Sequence, residues 1–506
     1  MRYGFAGSGV FGLVVAACAV GPSYHRPDTG VPSEWRTTPV IADSLRPFYD
    51  SLGAHRDTLP LVPGAQAAAG PDTAGILPLQ ADSVADLGWF DLLADTVLRE
   101  LVDSALTENR DVRVALATID EFRALAGVAR GELFPQVSLN GQAGRFKNVV
   151  VGTGSSRYNA IQITGNLQWE LDFWGRIRRS TEAANSDLLG SAESRRAVVL
   201  SLVGDIATTY LTLRELDLSL EISRRTLASN LETLRLARQR FDQGVISELD
   251  VRRFESSVAG PAASVAQFEG QIAQTENLLS LLVGRNPGSI RRGRPLTEVL
   301  ATLTVPEQLP ESLLERRPDV RAAEAQLHSA TARVGAAKGA LFPTVVITGD
   351  YGTFGNRTSD LFHSQSEIYQ ILGGVSIPIF TGGRLGKQVD VAEARAEQAR
   401  YGYEQSVLIA LREVEDAIAG VRSSRNQAIA QQTQVDALRR ALHLAELRYE
   451  AGASSYLDLL DAQRSLFVAE LELAQAQGQE AIAAVALYRA LGGGWPVSPA
   501  DTVTTQ

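Results

Sequence analysis

The strongest constraint on this fold is an internal repeat, because two halves of the chain match at a fixed offset of 208 residues. Residues 127–141 read GVARGELFPQVSLNG, and residues 335–349 read GAAKGALFPTVVITG. Three further pairs of blocks keep the same offset: Asn109-Arg-Asp-Val-Arg113 and Arg317-Pro-Asp-Val-Arg321, Arg240-Phe-Asp-Gln-Gly244 and Arg448-Tyr-Glu-Ala-Gly452, and Gly284 and Gly492. One offset without a net gap indicates a duplication, so each copy is expected to form the same supersecondary unit.

Each copy contains a segment in which polar and apolar residues alternate with a period of two, as in a β-strand with one apolar face. The apolar residues are Ile161, Ile163, Leu167, Trp169, Leu171 and Phe173 in the first copy, and Tyr369, Ile371, Val375, Ile377 and Ile379 in the second. Preceding strands begin at Val137 and Val345. Such strands are typical of transmembrane barrels, although a water-soluble sandwich can show the same alternation.

Four strands are too few to close a barrel. In lipid, an open sheet edge would leave backbone groups without hydrogen-bond partners, so the edges must pair with another chain. A membrane protein with this pattern must therefore be an oligomer. A trimer would supply about 12 strands, which is within the range of known barrels.

The helices are predicted to be unusually long. Residues 176–242 and 384–451 contain no proline, and at about 1.5 Å per residue each could reach roughly 100 Å. Interior glycines argue against unbroken helices; they are Gly190, Gly204, Gly402 and Gly420. Pro261 lies in the return helix of the first copy and aligns with Ala469 in the second, which predicts a kink in the first copy alone.

The N-terminus has the pattern of a secreted lipoprotein. Residues 1–17 carry one charge and a short apolar run, which fits a signal peptide. The run ends at Cys18, the only cysteine of the chain, in a sequence that resembles a bacterial lipobox. Nine of the 20 prolines lie between residues 22 and 78, so residues 18–88 are predicted to be an extended tether.

The residues that would support catalysis or nucleic-acid binding are missing. The formal charge of −10 argues against a nucleic-acid partner. The five histidines form no pair at metal-ligand spacing, and there is no GxxxxGK[ST], HExxH or GxSxG motif. The chain is therefore predicted not to be an enzyme, with no cofactor and no metal site. The only methionine is Met1, which argues against copper(I) as a specialised cargo because thioether ligands are lacking.

The order of these elements resembles the TolC-like outer membrane factor family, and within it the NodT-type efflux lipoproteins. The resemblance covers residues 18–27 and 88–495. Its motifs are Phe134-Pro135 and Phe342-Pro343, Phe173-Trp174-Gly175-Arg176 and Gly382-Gly383-Arg384, the Arg-aromatic-x-x-Gly blocks at 240–244 and 448–452, Leu457-Asp458-x-Leu460-Asp461-Ala462, and Leu491-Gly-Gly-Gly494-Trp495.

The resemblance implies an α+β membrane protein that forms a homotrimer in outer-membrane lipid. Four strands per protomer would form a 12-stranded transmembrane β-barrel, continued by a long periplasmic α-helical barrel. A periplasmic adaptor protein and an inner-membrane transporter are the implied partners. The implied function is that of an exit duct in a tripartite efflux system for small molecules such as drugs. A type I protein-secretion duct and a structural envelope lipoprotein without a pore remain alternatives.

The candidate site residues lie at the lipobox and at the two helical hairpins. Cys18 is the predicted lipidation site. The predicted adaptor-docking residues of the hairpins are Arg240, Phe241, Gly244, Arg448, Tyr449 and Gly452, although turn geometry alone would explain the glycines. The predicted gate consists of Asp458 and Asp461, three residues apart on one helix face. Ser455-x-x-Asp458 also fits a helix cap, and this sequence has Ser454 where some family members carry an arginine.

These patterns predict six segments. Residues 1–17 are the signal peptide and 18–88 the lipidated tether. Residues 89–284 are the first repeat, with strands at about 134–173, and 311–495 are the second, with strands at about 342–380. Residues 285–310 join the repeats as an equatorial segment, and residues 496–506 form a tail.

Overall fold

The computed structural model describes residues 20–27, 95–150, 154–301, 316–451 and 453–493. The predicted signal peptide, Cys18 and most of the tether lie outside these ranges. In chain order the elements are α1 Thr96–Glu108, α2 Arg110–Gly131, β1 Gln136–Val150, β2 Gly154–Leu171, α3 Arg176–Asp242, α4 Glu248–Val283, α5 Leu296–Ala301, α6 Pro318–Gly339, β3 Thr344–Gly355, β4 Glu367–Ser376, α7 Arg384–Glu450 and α8 Tyr456–Ala490. Two short 3₁₀ helices, Thr358–Phe362 and Ser364–Ser366, connect β3 to β4.

The sequence repeat is also a structural repeat. Helices α2 and α6 begin and end 208 residues apart, and so do α3 and α7. The return helices α4 and α8 also begin 208 residues apart. Both are followed by a glycine in the left-handed region, Gly284 with φ 87° and Gly492 with φ 89°. The repeated blocks of sequence thus form repeated elements with matching boundaries.

Helices α3 and α7 are each continuous over 67 residues, about 100 Å at 1.5 Å per residue. The expectation that their glycines would interrupt them was wrong. A Cβ at Gly204 would lie 3.1 Å from Cδ of Arg489, so close side-chain packing occupies this side of the helix. Glycine costs a helix only about 1 kcal/mol relative to alanine, which is less than the packing of a buried face contributes.

The four strands form one antiparallel sheet in the order β1-β2-β3-β4. The pairing of β2 with β3 joins the first copy to the second, for example through Leu167 and Gly349. Strands β1 and β4 are the edges of this sheet among the described residues. The second-copy strand predicted to reach residue 380 ends at Ser376, because Pro378 has no N–H to donate to a neighbouring strand.

The sheet has one apolar and one polar face, as the alternating pattern predicted. Val137, Leu139, Tyr369 and Ile371 lie on the apolar face and are each at least 74% exposed. A ladder of polar side chains crosses the other face. Asn140 Nδ2 donates to Asn166 Oδ1 at 2.5 Å, Asn166 Nδ2 donates to Asp350 Oδ1, and Gln370 Nε2 donates to Asp350 Oδ2 at 3.2 Å.

The chain separates into two compact units. One contains the sheet and residues 115–195 and 319–407, and the other contains residues 196–318 and 408–493 with the start of the first repeat. The largest hydrophobic core of the second unit surrounds Tyr210 and Ile206 of α3. Among the described residues, only α3 contains an 18-residue window apolar enough to cross a membrane; 56% of that window is buried inside the protein, as in a core helix.

Helix α4 continues through Pro261, and a side chain from the neighbouring helix explains how. Proline has no N–H, so the carbonyl four residues earlier, that of Ser257, loses its helical donor. Asn230 of α3 donates from Nδ2 to Ser257 O at 2.8 Å and is itself buried. In the second copy, Ala469 replaces the proline and Leu438 replaces the asparagine. The two differences between the copies are therefore coupled.

Replacing Asn230 with leucine should destabilise the protein by about 1–3 kcal/mol, because it leaves the partly buried Ser257 carbonyl without this donor. In a Pro261→Ala background, Asn230→Leu should lower the stability of the protein by less than it does in the wild type, since the alanine N–H restores the helical donor to Ser257 O. The measurement is the thermal unfolding midpoint of the wild type, both single variants and the double variant. Equal losses in the two backgrounds would show that Asn230 and Pro261 are independent.

Candidate functional site

The segment 20–27, just after the predicted lipobox, is docked on the unit that contains the sheet. Val20 N donates to Trp174 O at 3.0 Å, where β2 leads into α3. Gly21 has φ 122° and lies so close to Gly335 of α6 that a Cβ would be 2.4 Å from the Gly335 Cα. Only glycine fits here, since the backbone angle and the close approach both exclude a side chain.

One carboxylate holds the end of this segment. Glu324 of α6 accepts hydrogen bonds from Tyr24 Oη at 2.9 Å and from Arg26 at 2.8 and 2.6 Å. The Tyr24 ring also packs edge-on against His328, with centroids 4.9 Å apart. Burial alone would raise the pKa of Glu324, but the hydrogen bonds from Arg26 and Tyr24 lower it below its ordinary value. The carboxylate is thus ionised at neutral pH and pairs with Arg26.

Two of the motifs shared with the outer membrane factor family, Phe173-Trp174 and Phe342-Pro343, are in contact beside this segment. Trp174 Nε1 donates to Pro343 O at 2.7 Å. The Trp174 ring stacks on Phe342 with centroids 4.9 Å apart. The Phe-Trp motif of the first copy and the Phe-Pro motif of the second therefore form one contact at the junction between strands and helices. Cys18, the predicted lipidation site, lies outside the described residues, two positions before Val20.

The hairpin between α3 and α4 closes with a left-handed glycine. Gly244 has φ 72°, and its N–H donates to Phe241 O at 2.8 Å. Val245 N donates to Arg240 O at 2.9 Å, and Ala453 N repeats this bond to Arg448 O at 2.8 Å in the second hairpin. Gly452 lies outside the described residues. Turn geometry thus accounts for the predicted glycine at the first hairpin.

The structure joins the two hairpin tips through residues predicted to dock an adaptor. Arg240 Nη1 of the first tip donates to Tyr449 Oη of the second at 3.0 Å, and its guanidinium lies 5.6 Å from the centre of the Tyr449 ring. Beneath them, the rings of Phe254 and Tyr456 lie 3.6 Å apart. Arg240 and Tyr449 therefore have a partner within the chain, whereas Phe241 is 41% exposed and Arg448 is exposed.

The two hairpins differ in charge at the start of the return helix. In the first, Arg253 forms an ion pair with Asp250 at 3.6 Å. The corresponding residues of the second hairpin are Asp461 and Asp458, both exposed. Asp458 accepts a hydrogen bond from Ser455 N at 3.3 Å, so it caps α8 as well. Asp461 lines a cavity of about 540 Å³ that Arg253 and Arg464 also line.

Within the described ranges, no group of three or more histidine, cysteine, aspartate or glutamate side chains could hold a metal ion. The contacts that sequence patterns missed join distant parts of the chain: Glu324 with Tyr24 and Arg26, and Arg240 with Tyr449. No local pattern signals either contact. The described residues thus contain long helices, an amphipathic sheet with open edges and two joined hairpin tips.

A sequence model of the outer membrane efflux protein family matches residues 101–285 and again residues 309–493. The second match begins and ends 208 residues after the first, which confirms the internal duplication. The solvent efflux pump outer membrane protein SrpC of Pseudomonas putida is 34% identical over 492 residues, which cover 96% of this chain and 97% of that protein.

Two further relatives agree with this match. The cation efflux system protein CusC of Escherichia coli is 31% identical, over 82% of this chain and 90% of that protein. The solved open state of the Neisseria gonorrhoeae MtrE outer membrane channel is similar with a TM-score of 0.78 and 29% identity, covering 94% of this chain and 98% of that one.

The chain belongs to the outer membrane efflux protein family. Membership confirms the predicted function of an outer-membrane efflux channel, and with it the prediction that the chain is not an enzyme. The relatives named above are efflux proteins or outer membrane channels, which favours efflux over a protein-secretion duct or a structural lipoprotein.

Replacing Glu324 with alanine should release segment 20–27, because Tyr24 and Arg26 both lose their acceptor. Amide hydrogen exchange of this segment should become faster, while exchange in the sheet stays unchanged. Glu397→Ala is the matched control, since Glu397 contacts only Arg400 of its own helix among the described residues. Unchanged exchange in Glu324→Ala would show that the backbone contacts of Val20 and Gly21 suffice.

Proposed function

We propose that three copies of this chain form the exit duct of a tripartite efflux system, with 12 transmembrane strands and a periplasmic barrel of helices. The observation that carries this proposal is the sheet of four strands with one apolar face and two open edges. Such a sheet cannot face lipid alone, because its edge N–H and C=O groups would lack partners. Three copies joined edge to edge supply about 12 strands and leave no edge.

The partners of this duct are a periplasmic adaptor and an inner-membrane transporter. The names of SrpC and its relatives describe outer membrane proteins of efflux pumps, and a pump needs further components to move cargo from inside the cell. The exposed tip residues Phe241 and Arg448 offer an aromatic and a cationic contact to an adaptor. Small molecules such as drugs are the proposed cargo.

The lipid anchor is proposed at Cys18. The docked segment supports this proposal, because Val20, two residues after Cys18 in the sequence, donates a hydrogen bond to Trp174 just after the end of β2. Acyl chains there would enter the same membrane as the strands, adding about 0.8 kcal/mol per buried CH₂. The mass of the N-terminal peptide of the mature protein tests this, and an unmodified N-terminus at another residue would refute it.

The gate is proposed at Asp458 and Asp461. Threefold symmetry would gather six carboxylates near the pore axis, and rings of aspartate attract cations. The Asp458→Ala/Asp461→Ala variant should conduct with weaker cation selectivity in a planar bilayer. It should also lose block by a trivalent cation added on the periplasmic side. Conductance and block equal to the wild type would leave these aspartates only as helix caps, whereas absence of any wild-type conductance would contradict the duct itself.

Adaptor docking at the hairpin tips predicts that a charge reversal at Arg448 weakens the contact with the adaptor. Arg448→Glu should weaken chemical cross-linking to the adaptor without affecting trimers, because Arg448 is exposed and the substitution reverses the charge that it presents. Tyr449→Phe removes the hydrogen bond from Arg240 but no charge, and it serves as the control for disturbance of the tip. If Arg448→Glu cross-links as well as the wild type, Arg448 has no role in docking.

A further inference from the structure

Three cations lie on one face at the far end of the β1–β2 hairpin. Lys147 of β1 pairs directly with Arg157 of β2, and Arg145 pairs with Asn159. Directly opposed residues share a face of the sheet, as do residues two apart on one strand. Arg145, Lys147 and Arg157 therefore project from the same face, and all three are exposed. We define them as the cationic triad.

The triad continues the apolar face of the sheet. On this face the paired residues are Val137 and Leu167, then Gly141 and Ile163, then Ala143 and Ile161. The next two pairs are Arg145 with Asn159, and Lys147 with Arg157. The face thus changes from apolar to cationic within one pair of residues. Aliphatic surface followed abruptly by arginine and lysine is typical of the boundary between acyl chains and headgroups.

The triad lacks negative partners. From residue 133 to residue 169 the sequence contains these three cations and no aspartate or glutamate. Within the described ranges none of the three forms an ion pair. Like charges directly opposite each other in a sheet are destabilising, so the pair of Lys147 and Arg157 is unfavourable unless an anion lies between them. The corresponding hairpin of the second copy has no such cluster and carries Asp350, Asp360 and Glu367.

The distance along the strand places the triad at the membrane surface opposite the docked start segment. From Ile161 to Leu171 the strand rises about 33 Å, or roughly 25 Å along the membrane normal at the usual strand tilt. This matches the height of the apolar band of a transmembrane barrel. Val20, beside the proposed lipid anchor, is held at Trp174 just beyond Leu171. The triad therefore faces the headgroups of the other leaflet.

We infer that Arg145, Lys147 and Arg157 bind the phosphate groups of phosphorylated lipid headgroups in the outer leaflet. Arginine matches phosphate oxygens with two parallel N–H donors, and lysine adds a mobile point charge. A phosphate between Lys147 and Arg157 converts a repulsive pair into two attractive ones. The inference rests on the proposed barrel, since only a membrane-inserted sheet presents the triad to lipid.

The test uses the full-length trimer in phosphatidylcholine nanodiscs, with or without diphosphoryl lipid A as one lipid in five. Native mass spectrometry counts the lipid A molecules that each trimer retains. The Arg145→Gln/Lys147→Gln/Arg157→Gln variant should bind lipid A at least tenfold more weakly, because each cation near an anionic surface contributes attraction. The Arg110→Gln/Arg285→Gln/Arg440→Gln variant loses the same charge at exposed positions in the other unit and should bind like the wild type.

Four outcomes would overturn the inference. They are undiminished binding by the triad variant, an equal loss in the control variant, equal occupancy of the triad by inorganic phosphate without lipid, and a Glu367→Gln variant that binds lipid A at least tenfold more tightly than the wild type. The last would show that the cations pair with Glu367 of a neighbouring protomer. Single-channel conductance of the triad variant in phosphatidylcholine should equal that of the wild type. A wild type that neither inserts nor conducts would instead refute the proposed duct.

Discussion

In each repeat, the residue just before α2 or α6 donates a side-chain hydrogen bond to the last turn of the return helix. In the first copy, Asn109 Nδ2 donates to Leu282 O at 2.7 Å; in the second, Arg317 Nη1 donates to Ala490 O at 2.9 Å. Donors and acceptors both differ by 208 positions. The last carbonyls of a helix have no partner within their own helix, and here a side chain from another part of the repeat supplies one.

The two copies make this bond with different side chains, and each of these side chains also forms a second interaction. Asn109 also caps α2, since its Oδ1 accepts from Asp111 N at 2.8 Å. Arg317 is buried and also pairs with Glu413 of α7 at 2.6 Å. The close approach depends on the following glycine, because a Cβ at Gly284 would lie 2.5 Å from Glu108 O. The repeat therefore keeps the bond and the glycine while the donor residue varies.

The sequence predicted most of the architecture because its signals are local. The alternation of polar and apolar residues from Ile161 to Leu171 predicted the apolar face of the sheet. The two long runs without proline predicted α3 and α7. The prediction for Gly204 was wrong, because a glycine that weakens an isolated helix can also leave room for the side chain of Arg489 to pack closely. The sequence patterns missed the contacts of Glu324 and Arg240, which join residues far apart in sequence. The contact that compensates for Pro261 was the one long-range contact that the sequence could have predicted. The alignment of the two copies, which pairs Pro261 with Ala469, also pairs Asn230 with Leu438.

That pair also limits how the two copies can have diverged. If proline arises first, the Ser257 carbonyl has no donor until asparagine follows. If asparagine arises first, its amide can share the Ser257 carbonyl with the helical N–H, since a carbonyl oxygen has two lone pairs. The second order passes through the less costly intermediate. Once both residues are present, Asn230 cannot revert without a loss unless Pro261 has reverted first, so the order of changes is constrained in both directions.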